Sequence, residues 1–129
     1  MGDLISIIVP CYNEEESLRL FHAAVKKTAA EMPDCRFEIL LVNDGSKDRT
    51  LEVMRELARE DECVSYFSFS RNFGKEAAMY AGFCHARGDY TAVMDADLQD
   101  PPDLLPEMYR ILKGGEYDSV ATRRVNRAG

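Results

Sequence analysis

Tyr90-Thr91-Ala92-Val93-Met94-Asp95-Ala96-Asp97-Leu98-Gln99-Asp100-Pro101-Pro102 is the stretch on which the reading of this chain turns. Tyr90 to Met94 is a short apolar run that predicts a buried strand, and Asp95, Asp97 and Asp100 follow it closely. Strand alternation sends Asp95 and Asp97 to the same side of the backbone. Unpaired charge is costly in an apolar core. A hard divalent cation, in contrast, favours carboxylate and water oxygens and bridges to substrate phosphates. An acidic surface loop that caps the next helix is the competing reading.

Outward from that stretch, apolar runs alternate with helical patterns. Ile5 to Val9 is a β-branched strand closed by Pro10, a residue not expected inside a central strand. Asn13 is the expected N-cap of the first helix, with Glu16 completing a capping box. Leu18, Phe21, Val25, Thr28 and Met32 recur at helical spacing up to Pro33. Phe37 to Val42 is the second strand, and Asn43-Asp44-Gly45-Ser46 after it signals a tight turn. Asp48 or Ser46 caps a helix carrying Leu51, Met54, Leu57 and Ala58.

Val64 to Phe69 is the third strand, Arg71 to Lys75 a loop, and Glu76 to Ala86 a helix rich in small residues. Its alanines and Gly82 permit close packing on a sheet, and Gly88 is a natural stop. Beyond the acidic stretch, Asp103 opens a helix that tolerates Pro106 in its first turn. Leu105, Met108, Ile111 and Leu112 form its apolar stripe, and Gly114-Gly115 ends it. Tyr117 to Ala121 reads as a fifth strand, followed by Arg123, Arg124 and Arg127.

This order predicts an α/β fold: an open, mostly parallel sheet with helices on both faces. Ligands of such sheets gather outside the carboxyl ends of the strands. Strands one, two and four end there in polar residues, which brings Tyr12, Asn13 and Glu14, then Asp44, then Asp95 and Asp97 to one rim.

With 129 residues the chain is one domain with a real core, read here as a single unit over 1–129. A net charge of −7 argues against a broad nucleic-acid-binding face. A single nucleotide remains compatible, because a metal can bridge to its phosphates. No apolar run approaches the roughly 20 residues that cross a bilayer, and no secretory signal opens the chain. Cys11, Cys35, Cys63 and Cys84 lack CxxC spacing, so free thiols in a reducing, cytoplasmic setting are expected rather than zinc. His22 and His85 fall on helical patterns and read as structural.

The remaining motifs each carry two readings. In Pro10-Cys11-Tyr12-Asn13-Glu14, a ring and polar groups at a strand-to-helix junction suit a flat base, or simply a helix start. Asp44 either accepts hydrogen bonds from a base or ribose, or shapes a turn. Arg71 and Lys75 around Gly74 combine positive charge with close backbone approach, as phosphate contacts need, or are solvated. Arg123, Arg124 and Arg127 either clamp a phosphate or lie on the surface.

Taken together, Pro-Cys-Tyr-Asn-Glu, Asn-Asp-Gly-Ser and Asp-Ala-Asp-Leu-Gln-Asp-Pro-Pro resemble inverting glycosyltransferase family 2, most of all its polyprenyl-phosphate sugar transferases. The resemblance spans nearly the whole chain and implies a GT-A fold. It implies that Pro10, Tyr12 and Glu14 line a nucleotide pocket, that Asp44 meets the base (uracil), and that Gly74 and Lys75 border that pocket. By the same resemblance Asp95 and Asp97 hold Mg²⁺ or Mn²⁺ on the diphosphate and serve catalysis. Gln99 then lies beside the donor sugar, and Arg123 approaches a phosphate of donor or acceptor.

The implied reaction moves a sugar with inversion from a nucleotide-diphospho-sugar donor, read as a UDP-sugar, to a polyprenyl phosphate or glycan acceptor. Family members are considerably longer, and many add transmembrane helices. The chain is therefore read as the donor-binding part only, from a full-length protein expected at the cytoplasmic face of a membrane. An incomplete sheet leaves an exposed edge, from which a homo-oligomer is expected. Two alternatives stand beside this reading. One is a non-catalytic nucleotide-binding fragment. The other is a phosphoacceptor receiver domain, although the paired acids after strand one and the Lys-Pro after strand five are missing.

Overall fold

The computed structural model describes residues 2–98 and 101–114. Along the chain run β1 (Leu4–Cys11), α1 (Leu18–Ala30), β2 (Arg36–Asn43), α2 (Thr50–Glu60), β3 (Val64–Ser68), α3 (Lys75–His85) and β4 (Tyr90–Val93). A 3-10 turn, Pro102–Leu104, then leads into α4 (Leu105–Lys113). The strands form one parallel sheet in the order β3-β2-β1-β4. The expected fifth strand, Tyr117 to Ala121, lies outside the described residues, as do Gln99 and Arg123.

Side-chain alternation along β1 sorts the two faces of the sheet. Ile5, Ile7, Val9 and Cys11 point to one side, where they join Ile39 and Leu41 of β2. Leu18, Phe21 and Val25 of α1, Met54 and Leu57 of α2, and Leu105 of α4 cover that side. Full burial of each large member contributes about 2 kcal/mol. On the opposite side α3 packs against β1 and β2. Gly82 makes that approach possible: a Cβ there would lie 2.4 Å from Cγ2 of Ile8. Helices thus cover both faces, as expected.

Polar groups inside this frame are paired. Glu38, only 6% exposed, accepts bonds from Ser6 Oγ at 2.5 Å and from the backbone N–H of Arg87 at 2.7 Å. The Arg87 guanidinium completes the cluster. His22 bonds Asp61, and His85 Nδ1 lies 2.9 Å from the carbonyl oxygen of Ala81, so both histidines do structural work. All four cysteines are free thiols.

Local details differ from the sequence reading. Pro10 does not close β1, since the strand continues to Cys11 with Pro10 opposite Val42. The carbonyls of Leu4 and Ile8 accept from Asp89 and Met94 on the β4 side, while that of Cys11 accepts from Asp44 on the β2 side. Even-numbered residues of β1 therefore address β4, which ends at Val93, opposite Ile8. Pro10 lacks its N–H where no strand remains to receive it.

Asn13 is not the cap of α1. Its φ is +56°, and the helix starts four residues later with Ser17 as N-cap and without the Glu16 capping box. Asp103 falls inside the 3-10 turn, and Lys75 is the first residue of α3 rather than part of the loop. Neither Asp48 nor Ser46 is the N-cap of α2: Arg49 holds that position without a side-chain cap bond, while Asp48, one residue earlier, accepts the N–H of Thr50 at 2.9 Å.

Candidate functional site

The strand order creates the site. From β1 the chain moves through α1 to β2 on one side, and it returns through α3 to β4 on the other. Neighbouring strands whose connections leave in opposite directions open a crevice at their carboxyl ends. A cavity of about 250 Å³ lies there, lined by Pro10, Cys11, Tyr12, Glu14, Asp44, Lys75, Asp95 and Asp97. Gly74 adjoins it through the backbone of Lys75. The structure brings Pro10, Tyr12, Glu14, Asp44, Lys75, Asp95 and Asp97 together there, while Arg71 is not among the lining residues and lies over the Phe73 ring.

Asp95 and Asp97 share one side as expected, through an alternation that continues past the end of β4. β4 ends at Val93, and the following turn includes Leu98 at φ +64°. Met94 and Ala96 plunge into the core, 3% and 0% exposed, and the residues alternating with them face the cavity. Two apolar anchors thus aim two carboxylates.

The first loop is held by the segment that follows β2, the neighbouring strand. Asn13 receives a bond from Lys47 N at 2.8 Å through its side-chain oxygen, and its own N–H donates to Ser46 Oγ at 2.9 Å. Glu14 N–H donates to Thr50 Oγ1 at 2.8 Å, and Thr50 is fully buried. These bonds present Tyr12, a residue 41% exposed, and they seat Glu14 in the cavity wall. Burial pushes the Glu14 carboxyl above its ordinary range; Ser17 opposes this, and the charges of Asp97, Asp95 and Asp48 reinforce it. Cys11 is pushed up strongly by burial and by Glu14 and Asp95, so it stays a neutral thiol. It is no nucleophile.

Asp44 is 4% exposed, and its carboxylate serves the loop before α3. It accepts the N–H of Phe73 at 2.7 Å and that of Gly74 at 3.1 Å, with Asn72 Nδ2 at 3.3 Å. Lys75 follows directly, and its Nζ lies 2.8 Å from Asp95 Oδ1. Asn72 and Thr50 are positioning residues with no local signal in the sequence, because their partners lie in other loops, and Ser46, read as a candidate helix cap, instead accepts the Asn13 N–H.

A second cavity of about 910 Å³ opens among Gly2, Asp3, Cys35, Arg36, Tyr109 and Lys113. Size does not make it the better site. Asp3 is there spent on Tyr109 at 2.6 Å and Lys113 at 2.8 Å, at the end of the sheet away from the crevice.

The donor set of the smaller cavity fits a hard divalent cation. Glu14, Asp95 and Asp97 line it with carboxylate oxygens, and the Glu14 carboxyl is raised first by burial and then by the charges of Asp97 and Asp95. No cage of three or more ligating side chains is formed among the described residues. In general, Mg²⁺ and Mn²⁺ are often held by one or two carboxylates and completed by substrate phosphates and water.

Residues 6–129 match the profile described as Glycosyl transferase family 2. The chain belongs to that family. A family 2 assignment rules out the receiver-domain reading.

CsbB of Bacillus subtilis (strain 168) is 48% identical over 126 residues, covering 98% of this chain and 37% of that protein. The prophage bactoprenol glucosyl transferase homolog of Escherichia coli (strain K12) is 41% identical and covers 96% of this chain and 40% of its own length. The undecaprenyl-phosphate 4-deoxy-4-formamido-L-arabinose transferase of Pseudomonas paraeruginosa is 42% identical, with 97% and 37% covered. The chain thus spans about two fifths of the length of these relatives.

Among solved structures, the mannosyltransferase PcManGT from Pyrobaculum calidifontis, in complex with GDP-Man and Mn²⁺, superposes with a TM-score of 0.74 at 23% identity. That match covers 87% of this chain and 33% of the other. S. aureus TarS 1-349 in complex with UDP-GlcNAc gives 0.61 at 21% identity, covering 84% and 32%. The fold is therefore of the GT-A type. Among the described residues no helix is long and apolar enough to cross a membrane.

Proposed function

We propose that this chain forms the donor-binding part of a family 2 glycosyltransferase that moves a sugar from a UDP-sugar to a polyprenyl phosphate, with inversion. One observation carries this reading: Glu14, Asp95 and Asp97 converge with the exposed Tyr12 ring on a single cavity at the switch point of the sheet. The names of the bactoprenol and undecaprenyl-phosphate transferases among the relatives support the acceptor class. Complexes of the structural neighbours with nucleotide sugars and with Mn²⁺ support the donor class and a divalent ion.

In this reading Tyr12 and Pro10 flank the base, and Glu14 and Gly74 bound the pocket that holds it. Asp44 acts at the base side, directly or through the loop it fixes. Asp95 and Asp97 would hold Mg²⁺ or Mn²⁺, and Lys75 would face the donor's phosphates. Gln99 and Arg123, outside the described residues, are assigned to the donor sugar and to a phosphate. A bound divalent ion supplies positive charge where negative charge grows on the departing diphosphate.

The anomeric carbon forms its new bond to the acceptor oxygen as the bond to the diphosphate breaks on the opposite side. A polyprenyl phosphate oxygen is already anionic, so the step needs no protein base; a glycan hydroxyl would need one. Catalysis at a membrane face and self-association through an outer strand of the sheet, β3 or β4 among the described residues, belong to the same proposal.

Calorimetry with UDP and Mn²⁺ tests the site. Wild type should bind UDP in a metal-dependent manner, and Asp97→Ala should weaken that binding at least about tenfold, as expected for loss of a charged ligand. Metal-dependent binding that survives the substitution removes Asp97 from its role. Transfer from UDP-glucose to undecaprenyl phosphate then separates a catalyst from a donor-binding unit.

A further inference from the structure

We propose that Lys75 is an internal counter-ion of the acidic cavity, holding Asp95 until a divalent cation takes that carboxylate and then turning to the nucleotide's phosphates. The inference deepens the donor-site reading and rests on it.

Geometry carries it. Lys75 Nζ sits 2.8 Å from Asp95 Oδ1, with the lysine side chain 57% exposed and the aspartate 21% exposed. Among the described residues that line the cavity, Lys75 is the cation facing Glu14, Asp44, Asp95 and Asp97. Its backbone has little freedom. Asp44 grips the N–H groups of Phe73 and Gly74 immediately before it, and Ala78 N–H bonds back to Gly74 O at 3.2 Å. Its stem is a flexible four-carbon chain that carries a compact point charge. A fixed base with a movable head lets one ammonium serve two anions in turn.

Two consequences follow from charge alone. An ammonium and a divalent cation compete for Asp95, so Lys75 weakens metal binding to the nucleotide-free protein. A diphosphate brings new negative charge beside the displaced ammonium, so Lys75 strengthens binding of the nucleotide once metal is present. Metal and nucleotide are then positively coupled through one side chain, and the coupling must be reciprocal.

Titration of Mn²⁺ and of UDP, each with and without the other, into wild type and Lys75→Met tests this by binding alone. Lys75→Met should bind Mn²⁺ by itself up to about fivefold more tightly, the range open to a partly exposed ion pair. It should bind UDP in the presence of Mn²⁺ more weakly than wild type. Lys75→Gln, which keeps a polar side chain at the start of α3, should change both affinities in the same directions. Mn²⁺ affinity that is unchanged or reduced in both variants, with Mn²⁺-dependent UDP binding intact in wild type, overturns the role of Lys75 and leaves the donor site standing. Failure of all three proteins to bind either ligand overturns both.

Discussion

Asp44 shows how one residue can be visible in a sequence while its task is not. Asn-Asp-Gly-Ser left it open between a base contact and a turn. In the fold its buried carboxylate gathers the N–H groups of Phe73 and Gly74, about thirty positions away. Asp61 is the opposite case, unremarkable in sequence and strongly set by its surroundings. Burial pushes its carboxyl up, but the Cys63 N–H, His22 and Lys26 outweigh that and hold it at about 2, below the ordinary 3.8. A depressed folded-state pKa gives stability that is fully present above the unfolded value and is lost as pH falls through the folded one. Asp61 should therefore contribute about 2 kcal/mol above pH 4, lost between about pH 4 and pH 2. Urea unfolding across that range should show wild type losing this increment while Asp61→Asn does not.

Among the elements, the loops after β2 and β3 behave as one piece. Gly45 has φ +69°, and a Cβ on it would fall 2.2 Å from the carbonyl carbon of Arg71. That atom is backbone and cannot swing away. Gly45→Ala should cost about 3 kcal/mol, combining left-handed strain with overpacking. It should also displace the loop that Asp44 holds. Chemical denaturation reads the first effect, and a matched loss of UDP affinity reads the second; a neutral result on both would show the loops to be independent. The small residues of α3 were legible as a packing surface, and Gly82 against Ile8 uses them that way. The start of α1 was misread because Asn13 carries cap chemistry but spends it on Lys47 and Ser46 of the neighbouring loop.

For the whole molecule, the cavity joins three strand ends and the helix that returns the chain to the far side of β1. A ligand that occupies it must favour the folded state over the unfolded one. UDP with Mn²⁺ at a hundred times its Kd should stabilise the chain by about 2.7 kcal/mol. Thermal unfolding with the pair, with each alone, and with the Asp97→Ala protein checks this. Only the pair acting on wild type should give the full shift, and equal midpoints throughout would mean that the cavity is not where the nucleotide goes.

At this scale the division between sequence and structure is clear. Local pattern determined the alternation of strands and helices and the parallel sheet, while the acidic, aromatic and basic site candidates came from motifs that each carried a structural reading as well. Period-two and period-3.6 hydrophobicity and turn chemistry act over a few residues. The tertiary structure decided the strand order β3-β2-β1-β4, which puts the ends of β1 and β4 side by side. It also let Pro10 stay inside a strand, turned Asp95 and Asp97 outward through buried Met94 and Ala96, and paired Lys75 with Asp95. Each of these depends on contacts between segments far apart in the chain, which no local pattern encodes. The stretch from Tyr90 to Asp97 names the carboxylates; only the packing around it gives them a cavity and a counter-charge to share.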